Sequence, residues 1–292
     1  MAALRWAGGA EGPHAGRMIV TRFSRVFGDV KPVIAMVHVG ATPGAPLHDE
    51  ARGVEGIVAD ARADLQALQD AGFDAVMFGN EHDRPYELKV DVAATATMAY
   101  VIGRLRDEIR VPFGVNVLWD PAATMALAAA TGASFVREIF TGTYASDMGP
   151  WNPDAGAALR YGRRLGASEV VKLFNVSAEF ADSLDRRSLP DRARSAVVSS
   201  IPDAVLVSGA ITGEAASMSD LEAVKRVVTS VPVLANTGIK HDTVADVLNI
   251  ADGVIVGSAL KIDGDTWKAV DPARAMEFMD RVRATRRGPA KG

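Results

Sequence analysis

The chain contains no cysteine. Disulfides, thiolate nucleophiles and cysteine-ligated zinc are thereby excluded, and a reducing cytoplasm is the expected setting. Aromatic residues are scarce, 6% of the 292 positions, against 48% hydrophobic residues overall. A chain rich in Ala, Val and Ile but poor in rings suggests helices covering a buried parallel sheet. Neither sign of charge dominates: 32 Lys and Arg face 36 Asp and Glu, a formal net charge of −4. Long-range attraction for nucleic acid or an anionic lipid surface is therefore lacking, and no nucleic-acid partner is expected. No stretch offers the ~20 continuous apolar residues of a membrane span, and "MAALRWAGGAEGPHAGRM" lacks the apolar segment of a signal peptide. Residues 1–30 are expected to form a short, loose extension, with Met18 as an alternative start, ahead of one folded domain over residues 31–292.

What the chain does have is rhythm. Short β-branched runs fall at 33–39, 75–78, 113–118, 135–139, 170–176, 204–208, 233–235 and 253–256, which makes eight expected strands. Between them lie helical patterns: Val54, Ile57, Val58, Ala61, Leu65 and Leu68 share one face, as do Leu221, Val224, Val227 and Val228. "DAGFDAV", "ATGASFV" and "IADGVIV" each place a glycine where a helix stops and the chain turns into a strand. Eight such units predict a single (β/α)₈ TIM barrel in the α/β class. An open doubly wound sheet is the competing architecture, disfavoured because no Gly-x-Gly-x-x-Gly opens the first helix.

A barrel assembles its site at the carboxyl ends of its strands. Those ends carry His38, Asn80 with Glu81, Asn116, Arg137 with Glu138, Asn175, Ser208 with Gly209, and Asn236. Any one of them could be polar only because strand ends approach solvent; as a set they point to a converging site. Glu81 and Glu138 are candidate general acids or bases, since apolar walls raise a carboxyl pKa. His38 is a candidate acid or base, or else a core histidine bonded to a carbonyl. Lys172 interrupts the fifth strand, where desolvation would suit it to Schiff-base chemistry unless it faces outward and pairs with an acid. Alternation puts Lys172 and Asn175 on opposite faces.

"LANTGI" and "VGSALK" follow the seventh and eighth strands, the place where barrels hold phosphate. Thr237, Gly238, Gly257 and Ser258 are the expected contributors, with Lys261 supplying charge or else merely solvated. "VSGAITG", holding Ser208, Gly209, Thr212 and Gly213, is a second glycine-rich loop that would extend the cradle or close over a ligand. In "GNEHDRP", His82 stands beside Glu81 and Asp83, a grouping that fits no metal-ligand spacing. No cofactor is expected, with a divalent metal as the lesser alternative. The long segment "FTGTYASDMGPW" reads as a lid carrying Asp147, or as a contact through Tyr144, Met148 and Trp151 in a homo-oligomer.

"VIAMVHVGATPGAP", "GFDAVMFGNEHDRP", "PFGVNVLWDPAATMALAAATGASFVRE", "LVSGAITG" and "ADGVIVGSALKIDGDTWKAVD" together resemble the BtpA/SgcQ family from about residue 31 to 284. The resemblance implies a TIM barrel allied to the phosphate-binding superfamily, with its anion site after strands seven and eight. It carries over His38, Asn80, Asn116, Arg137, Ser208, Gly209, Thr212, Gly213, Gly257, Ser258, Lys261 and Asp263. The family name comes from photosystem I biogenesis, and some members are described as nucleotidases or sugar-metabolism proteins. Members often carry an acidic residue followed by a Lys-His pair after strand five. Here residues 174–180 put Asn175 first and Glu179 and Phe180 at the pair, which implies an altered or lost step. The expected function is an enzyme acting on a small phosphorylated metabolite by acid/base isomerase or lyase/aldolase chemistry. The alternative is a non-catalytic barrel that binds a phosphorylated ligand or serves in assembly.

Overall fold

The computed structural model describes residues 20–287. Its elements run α1 (Arg22–Phe27), β1 (Val33–His38), α2 (Gly53–Ala71), β2 (Ala75–Gly79), α3 (Val92–Leu105), β3 (Phe113–Asn116), α4 (Pro121–Thr131) and β4 (Phe135–Glu138). Next come β5 (Tyr144–Ser146), β6 (Gly149–Trp151), α5 (Ala155–Arg164), β7 (Val171–Asn175), β8 (Ala181–Ser183), α6 (Leu189–Ser200) and β9 (Ala204–Val207). The chain ends with α7 (Met218–Val227), β10 (Val233–Asn236), α8 (Val244–Ile250), β11 (Val254–Val256) and α9 (Pro272–Arg287). Eight parallel strands close into a barrel in the order β1-β11-β10-β9-β7-β4-β3-β2, the architecture that the repeating units predict.

The period of two along each strand sorts its side chains between lumen and helices. Ile34, Met36, Ala75, Met77, Phe135, Leu173, Leu206, Leu234 and Ile255 fill the lumen. Their neighbours Val33, Ala35, Val37, Val76, Phe78 and Val136 pack outward against the helices. A Cβ on Gly114 would lie 2.2 Å from the Phe135 ring, so a strand that would otherwise carry a branched residue gives way to let that ring fill the lumen.

The expected loose extension is corrected over its last part. Thr21 caps α1 in a reciprocal capping box with Ser24, and the helix carries Phe23 and Phe27 under the barrel. The two rings stand 4.7 Å apart, and Phe27 lies 5.2 Å from Phe135. They floor the lumen. Residues 1–19, with Met18, lie outside the described residues.

The long segment after β4 is also more ordered than a loop. β5 and β6 form a hairpin, and β8, from the connection after β7, pairs with β5 in a three-stranded antiparallel sheet. Tyr144 and Trp151 of this sheet join Trp119, Ile139 and Ala178 in a small apolar cluster at the strand-exit end. Replacing Phe27 by Ala should cost about 3 kcal/mol of folding stability by opening a cavity in the floor. Chemical denaturation should show a lower midpoint with an unchanged slope.

Candidate active site at the strand exits

The inward register, followed one step past the apolar lumen, gives one residue per strand: His38, Gly79, Asn116, Arg137, Asn175, Ser208, Asn236 and Gly257, with Glu81 one further step beyond Gly79. Above them opens a cavity at the strand exits. Its polar lining comprises His38, Glu81, Asn116, Arg137, Glu138, Glu179, Thr212, Asn236, Thr237 and Ser258, with Gly213, Gly238 and Gly257 at one edge. Glu138 belongs to the outward register, yet its carboxyl is drawn to the cavity by Asn116 Nδ2, which donates to Oε2 at 2.7 Å, and by its neighbour's amide.

Two glycines make room for the Glu81 and His38 side chains. A Cβ on Gly79 would lie 2.7 Å from both Glu81 oxygens, and one on Gly257 would lie 3.1 Å from His38 Nε2. His38 Nδ1 lies 3.3 Å from the Thr266 carbonyl oxygen, which assigns the ring proton to Nδ1 and leaves the Nε2 lone pair facing Glu81 Oε1 at 3.8 Å. Glu81 Oε2 is buried without a hydrogen-bond partner among the described residues.

Arg137 organises the other side. Its Nη1 donates to Asn116 Oδ1 at 3.1 Å and its Nη2 to Glu179 Oε1 at 2.6 Å, while Thr212 Oγ1 donates to Glu179 Oε2 at 2.9 Å. Glu138, Asn116, Arg137, Glu179 and Thr212 thus form one chain of hydrogen bonds. Burial pushes the Glu81 carboxyl up to about 7, with the Arg137 charge offsetting only part of the effect. It pushes Glu138 up to about 8 despite the two N–H groups its oxygens accept. Burial, reinforced by the Lys261 charge, holds the His38 imidazolium well below its usual range. Near neutral pH the cavity therefore holds two carboxyl groups that can release protons and an imidazole that can take one.

Several expected residues serve the scaffold. Asn80 Oδ1 accepts the Leu118 N–H at 2.8 Å. Asn175 and Asn236 both donate to Ser208 Oγ, at 2.8 and 2.7 Å. Gly209 and Gly238 permit close approach between loops: a Cβ on either would fall within 2.2 Å of backbone atoms of Glu214 or Ala215. Gly209 N–H also donates to Thr237 Oγ1 at 2.9 Å.

Two lysines require correction. Lys172 lies in the outward register, buried beside Arg22, with Nζ donating to the Ser168 carbonyl at 2.6 Å. Burial lowers it to about 8, but it does not line the cavity, so the structure gives the Schiff-base reading no support. Lys261 is not a solvated or phosphate-facing charge: it is buried in an ion pair with Asp64 at 2.6 Å, and Asp64 also accepts the Val270 N–H. Asp263 pairs with Lys268 on the surface, and neither Asp147 nor Met148 lines the cavity.

Among the described residues no group of three or more His, Asp or Glu side chains is placed to hold a metal ion. Asp83, beside His82, is taken by the amide and hydroxyl of Thr42. His82 packs edge-on against Trp267 at 5.6 Å. No helix of the described residues is long and apolar enough to cross a membrane.

The glycine edge offers donors. None of the hydrogen bonds of the described residues uses the N–H groups of Gly238, Ser258 or Ala259. Thr212, Gly213, Gly238, Gly257 and Ser258 are shared with an adjoining cavity whose walls include Lys240, Arg274 and Arg281. The residues missed in the sequence are Tyr86, Leu118, Trp119, Ile139 and Phe180, which form an apolar wall opposite that edge. A tryptophan directly before the Asp120-Pro121 helix start was the available signal, since a bulky ring at a strand exit faces the rim.

Residues 29–284 match the BtpA family. The chain belongs to that family. This BtpA-family chain is 47% identical over 262 residues to the sgc region protein SgcQ of Escherichia coli (strain K12), covering 90% of this chain and 98% of that one. It is 31% identical over 255 residues to the photosystem I biogenesis protein BtpA of Synechocystis sp. (strain ATCC 27184 / PCC 6803 / Kazusa), covering 85% and 87%. Among solved structures it resembles (S)-3-O-geranylgeranylglyceryl phosphate synthase from Thermoplasma acidophilum, bound to sn-glycerol-1-phosphate. The TM-score is 0.57 at 13% identity over 89% of this chain and 96% of that one, a likeness of fold.

The raised Glu81 carboxyl makes a stability prediction. Its folded pKa of about 7 stands above its ordinary value of 4.5, so the folded state binds the proton more tightly. That contribution is complete below pH 4.5 and is lost as pH rises through 7. Glu81→Gln cannot titrate. The stability of Glu81→Gln minus that of wild type should therefore grow by about 3 kcal/mol between pH 4.5 and 8, measured by urea denaturation across that range.

Proposed function

We propose that this protein is an enzyme acting on a small phosphorylated metabolite by proton transfer, as an isomerase or as a lyase of aldolase type. The observation that carries the reading is the meeting of Glu81, Glu138, His38 and Arg137 in one buried cavity whose far edge presents unused backbone N–H groups. The phosphate would lie against the N–H groups of Gly238, Ser258 and Ala259, at the junction of the two cavities. Binding energy from that remote group would hold the reacting carbons over the acid and base.

In this reading His38 Nε2 accepts a proton from the carbon beside a carbonyl. Glu138 donates its proton to the carbonyl oxygen, and the Arg137 guanidinium stabilises negative charge building there. Return of the proton from His38 to the former carbonyl carbon, as Glu138 takes a proton from the hydroxyl on the carbon first deprotonated, turns that hydroxyl into the new carbonyl and completes an isomerisation. In a lyase His38 instead takes the proton of a hydroxyl two carbons from the carbonyl; that hydroxyl becomes a carbonyl as the carbon–carbon bond between breaks, and the bond electrons pass to the first carbonyl, whose oxygen Glu138 protonates. The chemistry calls on no resident cofactor, and the setting we infer is the cytoplasm.

One observation favours a second reading, a barrel that binds a phosphorylated ligand without turning it over. Arg137 is already neutralised by Glu179, itself tied to Thr212, and a relative is named for photosystem I biogenesis. A thermal-shift screen of sugar phosphates, glycerol phosphates and nucleotides, with inorganic phosphate as control, should identify ligands that raise Tm. Glu138→Gln should then retain ligand affinity while losing at least about 100-fold in kcat. Stabilisation without turnover in the wild type would establish the second reading; no stabilisation by any phosphorylated compound would overturn both.

A further inference from the structure

The two ends of the cavity differ chemically, and the strand order says why. Tyr86, Leu118, Trp119, Ile139 and Phe180 come from the exits of β2, β3, β4 and β7. The glycine edge comes from the exits of β9, β10 and β11, on the opposite arc of the closed barrel. A ligand spanning the cavity meets backbone donors at one end and aromatic faces at the other. A sugar phosphate fills only the first end.

The aromatic wall is built under backbone strain. Trp119 and Phe180 hold φ of 70° and 49°, a region that side-chain-bearing residues rarely adopt, and Thr237 on the glycine edge holds 64°. Three of the five non-glycine residues of positive φ among those described thus line this one cavity. Strain of this kind persists where the surrounding fold imposes it and concentrates at ligand sites. The Trp119 ring is braced by Trp151, with centroids 5.0 Å apart, and Phe180 lies 5.9 Å from Tyr86. The Trp119 indole N–H is buried and finds no acceptor among the described residues. A core ring serving only packing would leave that donor wanting; an acceptor on a ligand would satisfy it.

We infer that the substrate is a phosphate ester whose far end is a planar, unsaturated ring bearing a hydrogen-bond acceptor, set against the wall that Phe180, Tyr86 and Trp119 form. The inference rests on the proposed phosphate-handling function and names the class of molecule that the same cavity selects. The ring lies on the aromatic wall, the phosphate on the N–H groups of Gly238, Ser258 and Ala259, and the linking carbons over His38, Glu81 and Glu138. Proton transfer at the linker then needs no contact with either end.

Isothermal titration of the wild-type protein with ribose 5-phosphate, uridine 5′-monophosphate, adenosine 5′-monophosphate and the two free nucleosides tests it. At least one nucleoside monophosphate should bind about tenfold more tightly than ribose 5-phosphate, the gain that stacking one ring on aromatic side chains gives. Phe180→Leu should abolish most of that gap while leaving ribose 5-phosphate affinity unchanged. Trp119→Phe, which keeps a ring but removes the N–H, should weaken only the ligands that carry one. Equal binding of ribose 5-phosphate and both monophosphates would overturn the inference and leave the phosphate reading intact. Binding of nucleosides as tight as that of their monophosphates would uphold the ring site and overturn the phosphate site. Failure of all five compounds to bind would overturn both. The comparison among ligands on the wild-type protein stands even if a variant fails to fold.

Discussion

Arg137 is the one permanently charged cation among the residues lining the inner cavity, and the rest of the site is arranged around where its charge goes. A buried guanidinium needs a carboxylate and further acceptors to offset the loss of water. Glu179 and the Asn116 side-chain carbonyl supply them. With that charge engaged, Glu81 and Glu138 have no cation of their own, and burial leaves them holding protons into the neutral range. The same constraint explains Asn116, which turns its oxygen to Arg137 and its amide nitrogen to Glu138 and so couples a fixed charge to a titratable one.

This arrangement also gives a physical account of the segment after the fifth barrel strand, which carries Glu179 and Phe180. Glu179 brings a negative charge to Arg137, and Phe180 brings a ring to the apolar wall. Both side chains line the cavity.

Much of the fold was legible because parallel strands covered by helices write themselves as repeated apolar runs closed by glycine. The polar ring was legible for the same reason: His38, Asn116 and Arg137 stand in the inward register of otherwise apolar strands. What escaped was set by tertiary contact. Nothing local distinguishes Gly238, which yields to a neighbouring loop, from a glycine that only admits a ligand. Lys261 read as a free charge because Asp64, its partner, lies 197 positions away in sequence. Residues 22–27 looked like tail because two phenylalanines in six residues are too short a pattern to reveal the lumen they floor.

That floor has a consequence for traffic. Among the described residues, Phe23 and Phe27 close the lumen from beneath, and the cavity lies at the strand-exit rim. Under the proposed function, a product that keeps its anionic group would back out past the same amides that admitted its precursor, through the vestibule bounded by Lys240, Arg274 and Arg281. Departing and arriving molecules would then contend for one berth, and accumulating product would act as a competitor of its own precursor.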